Sequence, residues 1–365
     1  MDEKIYKIAL SQIKTIGTIK KKTLLSVVGS LEKIFTTTET ELAEIAKISP
    51  QQVKRFKRKK AIKRAIEELK FIEKNGITLH YYQDKDYPSK LKFCSDGPIV
   101  LFSKGNIEFN KQNIAIVGMR KASAYGKNTT QELVKELAPR NVQIVSGLAY
   151  GIDKEAHESA LNNQLSTIAV LGHGFELIYP AAHKSLANRI LENGGLITEF
   201  LSNSPRDPSN FPKRNRIVAG LCDATVVIES AKKGGSLITA NLAFDYNREV
   251  FAFPGNAKSV NSAGCNQLIR DLKATLITCA EDMENKMGWK EIEDPNEVVQ
   301  MDLFEVTSVD ENKIISVFQK NKKLVHFDIL KKITTMIPTD LSFHLFNLEM
   351  KGVVISKPGN LYKIA

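Results

Sequence analysis

Two glycines and an acidic residue stand together where a predicted strand gives way to a predicted helix, in residues 144–153, Ile-Val-Ser-Gly-Leu-Ala-Tyr-Gly-Ile-Asp. Gly147 and Gly151 permit positive φ and close approach of a ligand to the backbone, and Asp153 is expected to cap the helix that follows. The first N–H groups of a helix have no intrahelical partner and attract anions. The segment Ser146–Asp153 therefore predicts a phosphate-binding loop.

An arginine and a cation-rich helix start mark two further loops. Gly118-Met119-Arg120 ends a predicted strand on a glycine, and the forked donors of Arg120 match a pair of phosphate oxygens. A structural ion pair is the alternative for this arginine. Phe211–Arg216 places Pro212 at the first position of a predicted helix, with three cations and an amide in the turn after it. Because cations repel the positive end of a helix dipole, this turn predicts an anionic ligand.

A glycine pair forms the fourth loop, Lys232-Lys-Gly-Gly-Ser-Leu-Ile-Thr239, between a predicted strand and an apolar helix. The N–H groups of the glycines and the Ser236 hydroxyl are expected to cradle another phosphate, with Thr239 on the same turn. The four loops together predict these contacts to a phosphate-bearing ligand: Gly118, Arg120, Ser146, Gly147, Gly151, Asp153, Lys213, Arg214, Asn215, Arg216, Gly234, Gly235, Ser236 and Thr239.

Motifs for catalysis or for a cofactor are missing from the sequence. No Walker-type glycine-lysine loop occurs, and Gly172-His-Gly174 has Leu177 where a dinucleotide fingerprint needs its third glycine. The six histidines show no metal-ligand spacing, and His157, one turn after Asp153, is expected to be a capping partner or a core residue. We therefore expect no enzyme activity, no cofactor and no metal.

Short apolar runs that alternate with amphipathic helices must position these loops. Strands that are apolar throughout, separated by helices, predict a parallel sheet covered on both faces, a Rossmann-like doubly wound α/β domain that binds ligands at the carboxyl ends of its strands. The predicted strands are 113–118, 142–147, 166–172, 195–200, 224–230, 248–253 and 275–278. The predicted helices between them are 125–138, 153–162, 183–193, 212–221, 236–246 and 264–272.

Positive charge is concentrated at the start of the chain. Residues 1–80 carry 18 Lys and Arg against 9 Asp and Glu, which is +9 of the total net charge of +11. Such a surface is typical both of solvated helix faces and of nucleic-acid contacts, and charge alone does not decide between them. We expect helices at 4–13, 20–27, 31–35, 39–46 and 50–75. The turn around Gly17 resembles that of a helix-hairpin-helix module, although a plain packing bundle would use the same glycine.

The 365-residue length predicts several domains: 1–80 helical, 81–290 Rossmann-like, 291–308 an acidic linker and 309–365 a winged helix. The last prediction rests on helices at 310–320, 326–333 and 338–350 before a β-hairpin, and helix 338–350 has few basic residues for reading DNA. No run of 18 apolar residues and no signal-peptide pattern occurs, so a cytoplasmic protein without membrane contact is expected. Cys94, Cys222, Cys265 and Cys279 lack paired spacing, which predicts free thiols.

These loops, in this order, resemble the DNA-processing protein A family, which is also called DprA or Smf. The resemblance covers about residues 81–280, with a helical module before it and a winged helix after it. The motifs that carry it are Tyr87–Leu91, Ile116–Arg120, Ser146–Asp153, Tyr179-Pro180, Phe211–Arg216, Gly235–Ala240, Pro254-Gly255 and Gly264–Ile269.

The resemblance implies a protein that binds single-stranded DNA without cutting it, protects it, and promotes RecA loading for recombination during natural transformation. It also implies that Arg120, Lys213 and Arg214 grip phosphates, that the glycine loops let the strand approach, and that the chain forms a homodimer. Exposed aromatic rings would stack on bases. Tyr150, Phe175 and Phe211 are the candidates, and each is equally compatible with a place in the core.

Two other functions compete with this interpretation. A nucleotide-processing phosphoribohydrolase of the lysine-decarboxylase-like group shares this kind of sheet, and Glu229 or Glu199 would then be catalytic. The cationic Lys213–Arg216 segment and the basic first 80 residues argue against it. A regulator that binds duplex DNA through the winged helix is the other alternative, which the sparse basic charge on that helix disfavours.

Overall fold

A computed structural model of the chain describes residues 2–204, 207–289, 308–320 and 324–365. It divides into two compact units, Met1–Leu276 and Ile277–Ala365. Of the predicted linker 291–308, only Ser308 lies within the described residues. Within these ranges, no helix combines the length and the apolar character needed to cross a bilayer.

Six helices open the first unit: α1 Glu3–Ser11, α2 Thr18–Val28, α3 Leu31–Thr36, α4 Glu39–Ala46, α5 Pro50–Arg55 and α6 Arg58–Lys74. The single helix predicted over 50–75 is wrong, because the chain breaks at Phe56 and Lys57. Lys57 adopts a left-handed φ of 51° as the N-cap of α6. A lysine in that conformation gives no sequence signal, unlike the glycine that usually marks it. Phe56 is buried at the break and joins the module's apolar core.

A nine-stranded sheet follows, with strands β1 Thr78–Tyr81, β2 Val100–Gly105, β3 Asn113–Val117, β4 Gln143–Ser146, β5 Thr167–Val170, β6 Gly194–Thr198, β7 Ala224–Val227, β8 Glu249–Ala252 and β9 Thr275–Leu276. The order across the sheet is β1-β2-β6-β5-β4-β3-β7-β8-β9. All neighbours from β6 to β9 run parallel, as predicted. The pairs β1–β2 and β2–β6 are antiparallel, and neither β1 nor β2 was predicted from the sequence.

Helices cover the sheet: α7 Ser89–Lys92, α8 Ala124–Leu137, α9 Ile152–Asn162, α10 Lys184–Glu192, α11 Asn210–Leu221, α12 Gly235–Asp245 and α13 Ala263–Arg270. Helix α9 packs against α8 and α10, whereas α11 packs against α12 and α7. The central strand β3 pairs with β4 on one side and with β7 on the other. The chain therefore reverses its direction of travel across the sheet at β3, and the carboxyl ends of the strands open into a crevice at such a point.

The second unit contains α14 Ala280–Met287, α15 Val309–Lys320, β10 Val325–His326, α16 Phe327–Thr334, α17 Pro338–Met350, β11 Val354–Lys357 and β12 Leu361–Ile364. Strands β11 and β12 form the hairpin expected at the end of the chain, and β10 pairs with β12. The elements follow the predicted order of three helices and a hairpin. Their assignment to the winged-helix class stays a prediction.

Candidate functional site

The four predicted loops meet in one pocket of about 610 Å³. They follow β3, β4 and β7 or lead into α11, so the topology of the sheet brings them to the same edge. Ten of the predicted contacts line this pocket: Gly118, Arg120, Gly147, Asp153, Arg214, Asn215, Gly234, Gly235, Ser236 and Thr239. Ser146, Gly151, Lys213 and Arg216 do not line it.

The loop after β4 already holds an anion, and that anion is the carboxylate of Asp153. Its Oδ2 accepts hydrogen bonds from the N–H groups of Gly147, at 3.1 Å, and of Ala149, at 3.3 Å. Asp153 is not the N-cap that the sequence suggested, because Gly151 caps α9 and Asp153 lies inside the helix on its buried face. Burial raises the pKa of Asp153, while Arg214 and the two N–H groups act in the opposite direction. The predicted phosphate cradle is therefore filled by the protein itself.

Arg214 is a buried structural residue and not an exposed phosphate ligand. Only 5% of it is exposed, and its Nη1 donates to the carbonyl oxygens of Gly147, at 2.6 Å, and of Val170. These carbonyls end β4 and β5, so the guanidinium joins two neighbouring strands at their tips. Burial lowers the pKa of Arg214, and the nearby Asp153 carboxylate acts in the opposite direction. The implied phosphate contact of Arg214 disagrees with this burial, because Nη1 and Nε donate to acceptors inside the protein.

Three more predicted contacts have structural roles. The Ser146 side chain is fully buried, and its Oγ donates to the Ile116 carbonyl at 2.7 Å, which ties β4 to β3. Arg216 is turned away from the pocket and forms a 2.5 Å ion pair with Glu199. Gly151 has a φ of 77°, and a Cβ there would collide with the Met119 carbonyl. A glycine is therefore required at position 151 by the packing of the loop and not by a ligand.

Gly147 has a different reason for being glycine than the sequence suggested. The positive φ values in this loop belong to Leu148, at 58°, and to Gly151, and not to Gly147. A Cβ on Gly147 would run into the Arg214 guanidinium. The missing side chain makes room for the arginine that joins the strand tips, and it does not open the backbone to a ligand.

The exposed wall of the pocket combines a cation with two aromatic rings. Arg120 is exposed, and its guanidinium carbon lies 5.8 Å from the centroid of the Phe211 ring. Phe211 in turn lies 5.8 Å from Tyr179, which is 41% exposed, with the rings tilted by 42°. Lys121 adds a second exposed cation. This wall can bind a phosphate through Arg120 and present flat apolar surface to a base.

Tyr179 has no role predicted from the sequence beyond its place in a shared motif. The available signal was its position in the loop after β5, whose carboxyl end lies at the same edge of the sheet. Of the aromatic residues proposed to stack on bases, Phe211 lines the pocket. Tyr150 is exposed and contacts His183 instead, with ring centroids 4.9 Å apart. Phe175 is partly buried and packs against the core, which is the alternative that the sequence allowed for it.

The amino-terminal end of α12 also lines the pocket. Gly234 is the N-cap, and Gly235 and Ser236 belong to the first turn, whose N–H groups have no acceptor inside the helix. Ser236 Oγ donates to Ser230 Oγ at 2.9 Å, which holds the turn in place, and Asn215 Nδ2 donates to the Gly235 carbonyl at 3.4 Å. A Cβ on Gly235 would meet nothing within 4 Å. This helix end is the part of the predicted cradle that is open to an anion.

Substitutions at Gly147 and Gly235 should therefore differ in their effect on stability. Gly147→Ala is expected to lower the free energy of unfolding by about 3 kcal/mol, since it displaces a buried arginine from its acceptors. Gly235→Ala should leave that free energy within about 1 kcal/mol of the parent, since the added Cβ has open space in the first turn of a helix. Urea unfolding of the two variants measures both values. Equal losses of stability would contradict this account of the pocket.

Residues that an enzyme would need have other roles in the structure. Glu229 is 3% exposed and accepts from the Ser123 N–H, at 2.9 Å, and from the Ser123 hydroxyl, at 2.6 Å, at the start of α8. Glu199 is held by Arg216. His157 is fully buried with Nδ1 2.7 Å from Thr167 Oγ1, and burial lowers its pKa to about 3. The expectation of a core histidine is confirmed.

Comparisons with known proteins agree on one family. Residues 78–288 match the sequence model of a family described as DNA recombination-mediator protein A. A DprA relative from Mycobacterium tuberculosis is 36% identical over 244 residues, which are 63% of this chain and 62% of the relative. This chain thus spans less than two thirds of that relative's length.

Two solved structures share the fold and belong to similar proteins. DNA processing protein A from Streptococcus pneumoniae superimposes with a TM-score of 0.66 at 31% identity, covering 77% of this chain and 96% of the other. DNA processing protein A from Helicobacter pylori superimposes with a TM-score of 0.53 at 27% identity, covering 58% of this chain and 96% of the other. The H. pylori structure concerns the single-stranded DNA binding mode of that protein.

Proposed function

Because this chain belongs to the DNA recombination-mediator protein A family, we propose that its pocket binds single-stranded DNA along the phosphate backbone without cleaving it. Members of this family are DNA-binding mediators of recombination rather than enzymes. The single-stranded DNA binding mode of the H. pylori relative supports the choice of ligand.

One observation carries the proposal: the open donors of the pocket suit a strand and not a reacting nucleotide. Arg120 and the first turn of α12 both line the pocket and offer phosphate contacts, and Phe211 and Tyr179 line it as well and can stack on bases. Positive charge and aromatic surface for stacking are what proteins use to bind single strands of any base sequence. Glu229 and Glu199, which the phosphoribohydrolase alternative requires, have internal partners and do not line the pocket.

The wider biological role follows from family membership. We infer that the protein covers single strands during DNA processing and natural transformation, protects them, and promotes the loading of RecA for homologous recombination. We also infer a homodimer, in which two pockets would bind one strand. Proposed DNA contacts on this pocket are Gly118, Arg120, Asn215, Gly234, Gly235, Ser236 and Thr239, with Lys213 beside it.

The first test compares a labelled mixed-sequence single strand with its duplex at low salt, by fluorescence anisotropy. We expect the single strand to bind at least about tenfold more tightly, because only unpaired bases can reach Phe211 and Tyr179. Raising the salt should weaken binding steeply, since phosphate contacts release counterions. Tighter binding of the duplex would contradict the proposal. Release of base from a nucleoside monophosphate would instead support the enzyme alternative.

A further inference from the structure

A second cavity, of about 340 Å³, lies where the amino-terminal helices meet the loop that follows β6. We call it the cationic cleft. Its lining residues are Gln12, Lys14, Thr15, Arg55, Phe56, Lys57, Lys60, Ala61, Arg64, Leu201, Asn203 and Ser204. The proposed function makes no use of this cleft.

Five cations converge on the cleft and most of them are not neutralised. Lys14, Arg55, Lys57 and Lys60 are exposed, and among the described residues none of them has an acidic partner. Only Arg64 is paired, with Glu68 at 2.8 Å. Like charges gathered around a cavity repel one another, and an anionic ligand relieves that repulsion. A polyanion such as a nucleic-acid backbone also releases counterions when it binds.

The cleft is held rigidly by a buried polar contact between its two sides. Glu68 on α6 is 2% exposed, and its carboxylate accepts from the Ser202 N–H, at 2.9 and 3.0 Å, and from the Ser202 hydroxyl, at 2.6 Å. Arg64 donates to both partners, at 2.8 Å to Glu68 and at 3.0 Å to Ser202. The amino-terminal module is thereby fixed to the loop after β6, so the cations keep their places without a ligand.

The same loop connects the cleft to the pocket. Leu201, Asn203 and Ser204 follow β6 and line the cleft, whereas Pro208, just before α11, and Phe211, in the first turn of α11, line the pocket. Strand β6 lies three strands from β3 in the sheet, a separation of about 14 Å at roughly 4.8 Å per strand. A single strand that fills the pocket and leaves it across the tips of β4 and β5 would therefore reach the cleft a few nucleotides beyond those that the pocket binds.

We propose that the cationic cleft is a second contact for the same DNA strand, which binds the phosphate backbone as it leaves the pocket. This inference rests on the proposed function of the pocket. The amino-terminal module then lengthens the binding site, and part of the positive charge of the first 80 residues contacts the phosphate backbone.

The test varies both the protein and the length of the strand. The triple variant Lys14→Gln, Lys57→Gln and Lys60→Gln removes three charges from the cleft. Its control, Lys59→Gln, Lys63→Gln and Lys70→Gln, removes three exposed charges of the same module that do not line the cleft. Anisotropy titrations use full-length protein and single strands of about 6 and about 30 nucleotides, near and well above the span of a single binding module.

We expect the cleft variant to bind the long strand about tenfold more weakly than the control does, with a shallower salt dependence, while both bind the short strand like the parent. Equal affinities of the two variants for the long strand would overturn the proposal, and so would an equal loss on the short strand. If the parent protein binds neither strand, the result contradicts the function proposed for the pocket and not only the role of the cleft. Thermal unfolding of both variants checks that they remain folded.

Discussion

Arg120→Ala is expected to weaken binding of a mixed-sequence single strand by about 10- to 150-fold without changing the midpoint of thermal unfolding. This expected loss of affinity corresponds to the loss of one hydrogen bond to a charged group, which contributes about 1.5–3 kcal/mol. The guanidinium is exposed, and its ring contact in the pocket is Phe211, at 5.8 Å. Its loss therefore removes a ligand contact and leaves the packing of the core intact.

Lys127→Ala is the matched control for this experiment. Lys127 is an exposed cation on α8, outside the pocket, and its removal changes the net charge by the same amount. Anisotropy titrations of both variants at two salt concentrations separate the specific contact from general electrostatics. Equal effects of the two substitutions would show that Arg120 acts only through the overall charge. Arg120 would then not be a specific DNA contact of the pocket.

Arg214→Ala should act on stability, with a loss of about 3–5 kcal/mol in the free energy of unfolding. The substitution leaves the buried carboxylate of Asp153 without its cation and the carbonyls of Gly147 and Val170 without their donor. Urea unfolding measures the loss. A variant as stable as the parent that only fails to bind DNA would restore Arg214 as an exposed phosphate ligand.

The pH dependence and a double variant test the cause of that loss. Without Arg214, burial holds the pKa of Asp153 further above its unfolded value, so the folded state binds a proton more tightly than the unfolded state does. The variant's deficit should therefore shrink as the pH falls and grow as the pH rises. Combining Arg214→Met with Asp153→Asn should recover part of the stability, because no unpaired charge stays buried.

The parallel strands could be predicted because each is buried on both faces and its sequence is apolar throughout. The strands β1 and β2 could not be predicted in this way. Thr78–Tyr81 is four residues long and mixes polar with apolar side chains, one of which, His80, is buried only because Asp86 and Ser103 satisfy both ring nitrogens. The break at Lys57 was equally hidden, since it depends on tertiary packing around Phe56.

The positions of the loops in the site could be predicted from the sequence. The role of each side chain depends instead on which face of its helix it occupies. Arg214 shares its spacing with Ile217, Val218 and Leu221, which are all buried, so it belongs to the covered face of α11. Lys213, one residue earlier, is exposed. Asp153 follows the same rule with Ala156, His157 and Ala160 on α9. This periodicity is present in the sequence, and it predicts that Asp153 and Arg214 lie on the buried faces of their helices.

The carboxylate that fills the loop after β4 bears on how long a bound strand stays. Because Asp153 already occupies the N–H groups of Gly147 and Ala149, an incoming phosphate is kept at the rim of the pocket, and the loop needs no reordering when the strand arrives or departs. Differences in affinity between related complexes arise mainly from dissociation rates. We therefore expect a short residence time for each phosphate contact, which would let another protein displace this one from the strand.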